Sequence, residues 1–199
     1  MNITEHNGVS VKGHLKIFDP LTNEVFVDKL NAIHYENFSR ALANSIANKN
    51  KDFIYQMAFG NGGTLVDPTG IITYLTPNSF GSNAGLYNQT YVKIVDDNAS
   101  ANQDPTRNYM QVLHTTGTNY TDVVVTCLLD YDEPSDQSAY DTTPNGESAY
   151  VFDEIGLQSY DAGGNPMLLT HVIFHPVQKS LNRLIQIEYT VRIQSLSGA

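Results

Sequence analysis

The sequence closes on three consecutive β-favouring runs, residues 151–157, 167–174 and 184–193, each rich in Val, Ile, Leu or Phe and bounded by polar or glycine-containing turns. Runs of this length and composition predict strands. None of the three carries the groups that a reaction would need. Gly156 stands inside the first run, between Ile155 and Leu157. A glycine within a strand marks a bulge or a close backbone approach, and its two neighbours are expected in the core.

The same punctuated pattern fills the rest of the chain. Residues 14–19 and 24–30 flank Pro20 and Asn23 and predict a hairpin, while 53–59, 71–76, 91–95, 108–114 and 122–129 predict further strands between Gly-, Asn-, Ser- and Thr-rich loops. One segment changes period. Phe38, Ala41, Leu42, Ser45 and Ile46 recur every three or four residues, which predicts an amphipathic helix over 38–48 laid on a sheet. Lys49 and Lys51 stand near its C-terminal end, where cations suit the helix dipole. Many short strands with one helix near the N-terminus predict a mainly β fold, an antiparallel β-sandwich or barrel-like domain spanning residues 1–199. Residues 14–50 supply its N-terminal hairpin and helix, and 130–149 a long acidic loop. Ile155, Leu157, Leu168, Ile173, Phe174, Ile185 and Ile187 are expected to be buried between sheet and helix.

The 199 residues include 21 acidic and 11 basic ones, a formal net charge of -10. Such a chain is not drawn to phosphate backbones or anionic lipid, so neither nucleic acid nor membrane is expected as a partner. The first residues have no basic and apolar leader pattern, and no apolar run approaches the roughly 20 residues that span a bilayer, so a soluble protein made inside a cell is expected. Cys127 lies in an apolar run and reads as a buried thiol acting as a small hydrophobe.

Several constellations contain residue types that could carry chemistry. Gly60, Gly62 and Gly63 precede Thr64 and Pro68 with no Lys, which excludes a phosphate-cradling loop and predicts a turn needing positive φ. His171 and His175 on a strand lie about 13 Å apart, too far to share a metal ion. They are expected at a strand end before Pro176, facing solvent or a neighbouring subunit. Asp153 and Glu154 are adjacent in a strand and so are expected on opposite faces, one turned inward with Arg183, Arg192 or a backbone N–H as partner. Asp130, Asp132, Glu133 and Asp136 do not fit the twelve-residue calcium loop. They read as carboxylates of a solvated loop, mobile in the free chain, and are the candidate assembly contacts. No catalytic residue, cofactor or metal is expected.

The order of an early amphipathic helix, the run 57–63 ending in glycines, the strand 152–157, the turn at Gly163 and Gly164, and two closing strands resembles structural proteins of tailed-bacteriophage virions. The resemblance implies a non-enzymatic virion protein present in many copies, whose partners are copies of itself and other virion proteins. A tail, baseplate or neck/collar component is implied first and a capsid decoration protein second. Tyr-rich loops on a β-sandwich also stack on sugars, so a carbohydrate- or receptor-binding module is the reading of another class.

Overall fold

The computed structural model describes residues 8–81, 84–134 and 149–196. In chain order the elements are β1 (Gly8–Phe18), β2 (Val25–Leu30), β3 (Ala32–Ile33), α1 (Tyr35–Ile46), β4 (Ile54–Gly60), β5 (Thr64–Val66), β6 (Ile72–Tyr74), β7 (Gln89–Ile94), β8 (Tyr109–His114), β9 (Tyr120–Leu129), β10 (Ala149–Ser159), β11 (Thr170–Ser180) and β12 (Ile185–Leu196). One sheet has the order β2-β1-β12-β9-β8 and the other β3-β11-β10-β4-β7, while β5 and β6 form a separate hairpin. The strand pairs are antiparallel. The protein is therefore a mainly β, antiparallel sandwich, with one helix among the described residues, which follows the first three strands.

Alternation builds the core. On β12, Ile185, Ile187, Tyr189 and Val191 point inward beside Leu15 and Ile17 of β1 and Val125, Cys127 and Leu129 of β9. The second sheet answers with Met57 and Phe59 of β4, Tyr150, Phe152, Ile155 and Leu157 of β10, and Val172, Phe174 and Val177 of β11. Phe152 meets Phe59 and Phe174 edge-on at ring distances of 5.5 and 5.8 Å. Full burial of such side chains contributes about 1.5–3 kcal/mol each. The seven residues expected in the core are buried, though the slab lies mainly between two sheets. Leu168 and Ile173 fall outside the main cluster, against Gly156 and Gly63. A Cβ on Gly156 would stand 2.6 Å from the carbonyl oxygen of Thr170, so this glycine serves close approach.

The bulge lies just before it. Phe152 pairs with Val177 and Glu154 with Ile173, so Asp153 alone opposes residues 174–176. The irregularity accommodates Pro176, which has no N–H for the ladder, and β11 runs on to Ser180 instead of ending at the proline. It also shifts the inside–outside phase of β10. Phe152 and Ile155, three residues apart, both belong to the core, and Asp153 and Glu154 both turn away from it. The opposite-face expectation fails for this reason.

Helix α1 begins at Tyr35, three residues before the expected start, because His34 caps it: Asn37 N–H donates to His34 Nδ1 at 3.3 Å. It ends at Ile46, with no basic residue in its last turn; Lys49 and Lys51 lie past its end. Phe38 joins the core, with Ala41 and Leu42 half-buried against it. No helix among the described residues is long and apolar enough to cross a membrane.

Candidate functional site

Strands β4 and β7 are direct neighbours, with Gly60 opposite Gln89. A turn of two to five residues would connect such a pair. Instead the chain leaves the sheet after Gly60 and returns to the same point at Asn88, where Asn61 N–H donates to Asn88 O at 3.1 Å; residues 61–81 and 84–88 of this excursion are described. The excursion contains the β5–β6 hairpin, whose turn is organised by Asp67 accepting from Thr69 N and Ile71 N. Leu65, Val66, Ile71 and Phe80 are 58%, 64%, 62% and 72% exposed. We refer to this excursion as the arm.

A two-stranded hairpin this short is marginal alone. Its neck supplies the missing order. Asp153, 3% exposed, accepts from Gly63 N and Thr64 N at 2.9 Å each and from the Thr64 hydroxyl. Glu154, 0% exposed, accepts from Gly62 N (3.1 Å) and Asn88 N (2.8 Å) on Oε1. Its Oε2 accepts from Tyr87 N (2.9 Å) and His171 Nε2 (2.9 Å). Backbone N–H groups are thus the main partners of both carboxylates, joined by the Thr64 hydroxyl and His171, while Arg183 pairs with Glu24 and Arg192 with Asp122.

His171 is fully buried, not at a solvent-facing strand end. Asn78 N–H donates to its Nδ1 at 2.8 Å, which leaves the proton on Nε2 and aims it at Glu154. One imidazole therefore joins the arm to the carboxylate. His34 repeats the device at 0% exposure: Nδ1 accepts in the helix cap, and Nε2–H donates to Gly81 O at 3.0 Å. His175 is exposed, its Nδ1 3.4 Å from the Tyr74 hydroxyl.

Burial pushes the Glu154 carboxyl upward, but the His171 contact and the N–H groups of Asn88 and Tyr87 outweigh it and hold its pKa below the usual value. Each charge-assisted bond of this kind contributes about 1.5–3 kcal/mol. The arrangement binds donors of its own chain at every carboxylate oxygen, a clamp on backbone rather than a carboxylate pair turned to a substrate. Among the described residues no group of three His, Cys, Asp or Glu side chains is placed to hold a metal ion. Cys127 is fully buried, and burial pushes its thiol up to about 12.

The glycines of the neck have another purpose than positive φ. A Cβ on Gly60 would lie 2.5 Å from Asn88 O and Glu154 Oε1, and one on Gly62 2.7 Å from Asn88 N. Positive φ is found at Gly70, Gly81, Gly117 and Gly164 instead. These neck glycines are small so that two chain segments and a carboxylate can converge.

The acidic segment divides. Asp130 Oδ2 is 2.6 Å from Arg107 Nη1, and Glu133 pairs with Lys93 while accepting from Asp130 N at 2.9 Å. Lys93 Nζ also donates to Leu128 O at 2.7 Å. Asp130 and Glu133 are thus already engaged within the chain, and Asp132 is exposed. Asp136, and the expected mobility of the loop around it, fall on residues 135–148, outside the described residues.

From the sequence, residues 60–63 read as a turn and 71–76 as a lone strand, a pattern that does not reveal the arm. The available signal was Asp67, Pro68 and Gly70 between Leu65-Val66 and Ile71-Ile72, a turn set between two apolar pairs. Comparisons with protein-family models, with curated proteins and with solved structures return no match.

Proposed function

We propose that this chain is a non-enzymatic structural subunit of a tailed-bacteriophage virion, a tail, baseplate or neck/collar component, which joins neighbouring subunits through the arm. The observation that carries the reading is the clamped hairpin: two buried carboxylates and a buried histidine order a segment that neither sheet requires, and the segment ends in exposed Leu65, Val66 and Ile71. Apolar side chains held rigidly in solvent suit a partner surface, because little entropy remains to be lost on docking. The sequence resemblance to virion structural proteins supplies the setting and implies copies of itself and other virion proteins as partners. Capsid decoration is the alternative position within the same class.

The test is an electron-microscopy map of the intact particle. A sandwich fitting these two sheets, with the arm's β5–β6 hairpin packed on an adjacent subunit, supports the proposal and fixes its position. Particles without such density, together with glycan binding by the isolated chain, would replace it with a carbohydrate-recognition role.

A further inference from the structure

Among the described residues the two large sheets have four edge strands: β2, β8, β3 and β7. Folded proteins guard free edges with charges, prolines or very short strands, because an unpaired row of N–H and C=O groups is a template for another chain. Three of the four are guarded here. β2 carries Asp28 and Lys29, β3 is two residues long, and β7 carries Lys93, an inward-pointing charge held by Leu128 O and Glu133. β8, with the sequence Tyr109-Met-Gln-Val-Leu-His114, has neither Asp, Glu, Lys, Arg nor Pro, and pairs among the described residues with β9 alone.

Its side chains point the same way. Met110 and Val112 line a mainly apolar cleft of about 570 Å³ together with Phe38, Ala41 and Leu42; of its two carboxylates, Asp52 is paired with Arg40 and Asp96 is 8% exposed. On the other face stand Tyr109, Gln111 and Leu113. Val112 is 72% exposed and Leu113 52%. The one charged residue of β9 in register with β8, Asp122 opposite Leu113, is already neutralised by two bonds to Arg192 of 2.7 Å each. A chain of net charge -10 repels its own copies, so an uncharged rim is where two copies can meet.

We infer that β8 is a self-association edge, pairing antiparallel with β8 of a second copy about a two-fold axis through Gln111. A two-fold perpendicular to the sheet keeps inner residues inner, so only same-face residues can stand opposite one another. With Gln111 on the axis, Val112 meets Met110 of the partner over the two joined clefts. Leu113 meets Tyr109 of the partner on the outer face. The two Gln111 amides hydrogen-bond across the axis. The segment 109–113 is therefore self-complementary: both exposed apolar residues gain an apolar partner and no charge opposes its like. The result is one sheet continuous through two copies. A seam this short buries less than the roughly 800 Å² per partner of a standard stable interface, so it holds weakly in dilute solution and gains strength where other contacts add to it. This inference rests on the assembly role proposed above and adds a second surface, distinct from the arm.

The test is sedimentation velocity of the full chain over a wide concentration range, with Val112→Lys, Leu113→Lys and Gln111→Cys. The wild type should pass reversibly from monomer to dimer. Either lysine should shift that transition at least tenfold upward in concentration at an unchanged melting temperature, since both positions are exposed. Gln111→Cys should form a disulfide dimer on mild oxidation, because directly opposed strand residues lie about 4.5–5.5 Å apart between Cα atoms. Thr116→Cys, in the adjacent turn, should not. A wild type that stays monomeric at every concentration overturns the inference, as does a dimer indifferent to both lysines or a Gln111→Cys chain that cross-links no faster than Thr116→Cys. Monomers that still enter particles would sink the seam and leave the virion role standing. Dimers found in no particle would do the reverse.

Discussion

Glu154→Gln is the most informative single change in the clamp. The substitution keeps the shape and replaces one acceptor oxygen by an NH2 group. At Oε2 that amide would face the N–H groups of Tyr87 and His171, and at Oε1 those of Gly62 and Asn88. His171 has no tautomer that relieves the clash, because its Nδ1 is committed to Asn78 N–H. Either orientation orphans two buried donors at about 1–3 kcal/mol each, a cost of about 2–6 kcal/mol. The arm can escape part of it by opening locally, so the loss read from global unfolding should fall toward the lower end. Urea denaturation followed by circular dichroism measures the global part. Amide exchange at Gly62, Tyr87 and Asn88 measures the local part, and should accelerate while exchange on β12 changes less. A midpoint equal to wild type, with those three amides still slow, would refute the clamp.

The remaining expectations concern the same strand and its surroundings. Ile155→Ala removes a fully buried side chain between the sheets and should cost about 2–5 kcal/mol, read as a lowered urea midpoint with little change in slope. Gly156→Val places a Cβ 2.6 Å from backbone at Thr170, so the variant should lose the β10–β11 register or accumulate insoluble, whereas a native-like melt would show that the strands can separate at no cost. The pH dependence follows from Glu154. Its folded pKa lies below the unfolded value of about 4.5, so its stabilisation is complete above that value and is lost as pH falls through the folded one. Arm amides should therefore open in acid before the core does, and Glu154→Gln should abolish that early phase.

The strand content was legible because alternation and turn residues agree over most of the chain. β12 repeats Ile185, Ile187, Tyr189 and Val191 at a spacing that a helix could not bury on one face. The bulge at Asp153 was not legible. It arises where Pro176 of β11 meets β10, and one strand's sequence does not reveal its partner's register. That single slip explains why Asp153 and Glu154 read as lying on opposite faces, whereas His171, read as facing solvent or a neighbouring subunit, is covered by Asn78 and Tyr87 of the arm, which the sequence does not reveal. The neck glycines misled in a related way, since close approach and positive φ call for the same residue. Asp130 and Glu133 were visible as carboxylates, but their partners Arg107 and Lys93 come from other strands or loops far away in sequence.

If the arm joins this subunit to others in a virion, as proposed, the number of copies per particle depends on it. Quantitative mass spectrometry would compare purified particles assembled with wild-type chain and with a Leu65→Lys, Val66→Lys variant. Both positions are more than half exposed, so the variant should melt as wild type does. The account predicts many wild-type copies per particle and a loss of most of them in the variant. Equal copy numbers for the two chains, or particles lacking the wild-type chain altogether, would contradict it.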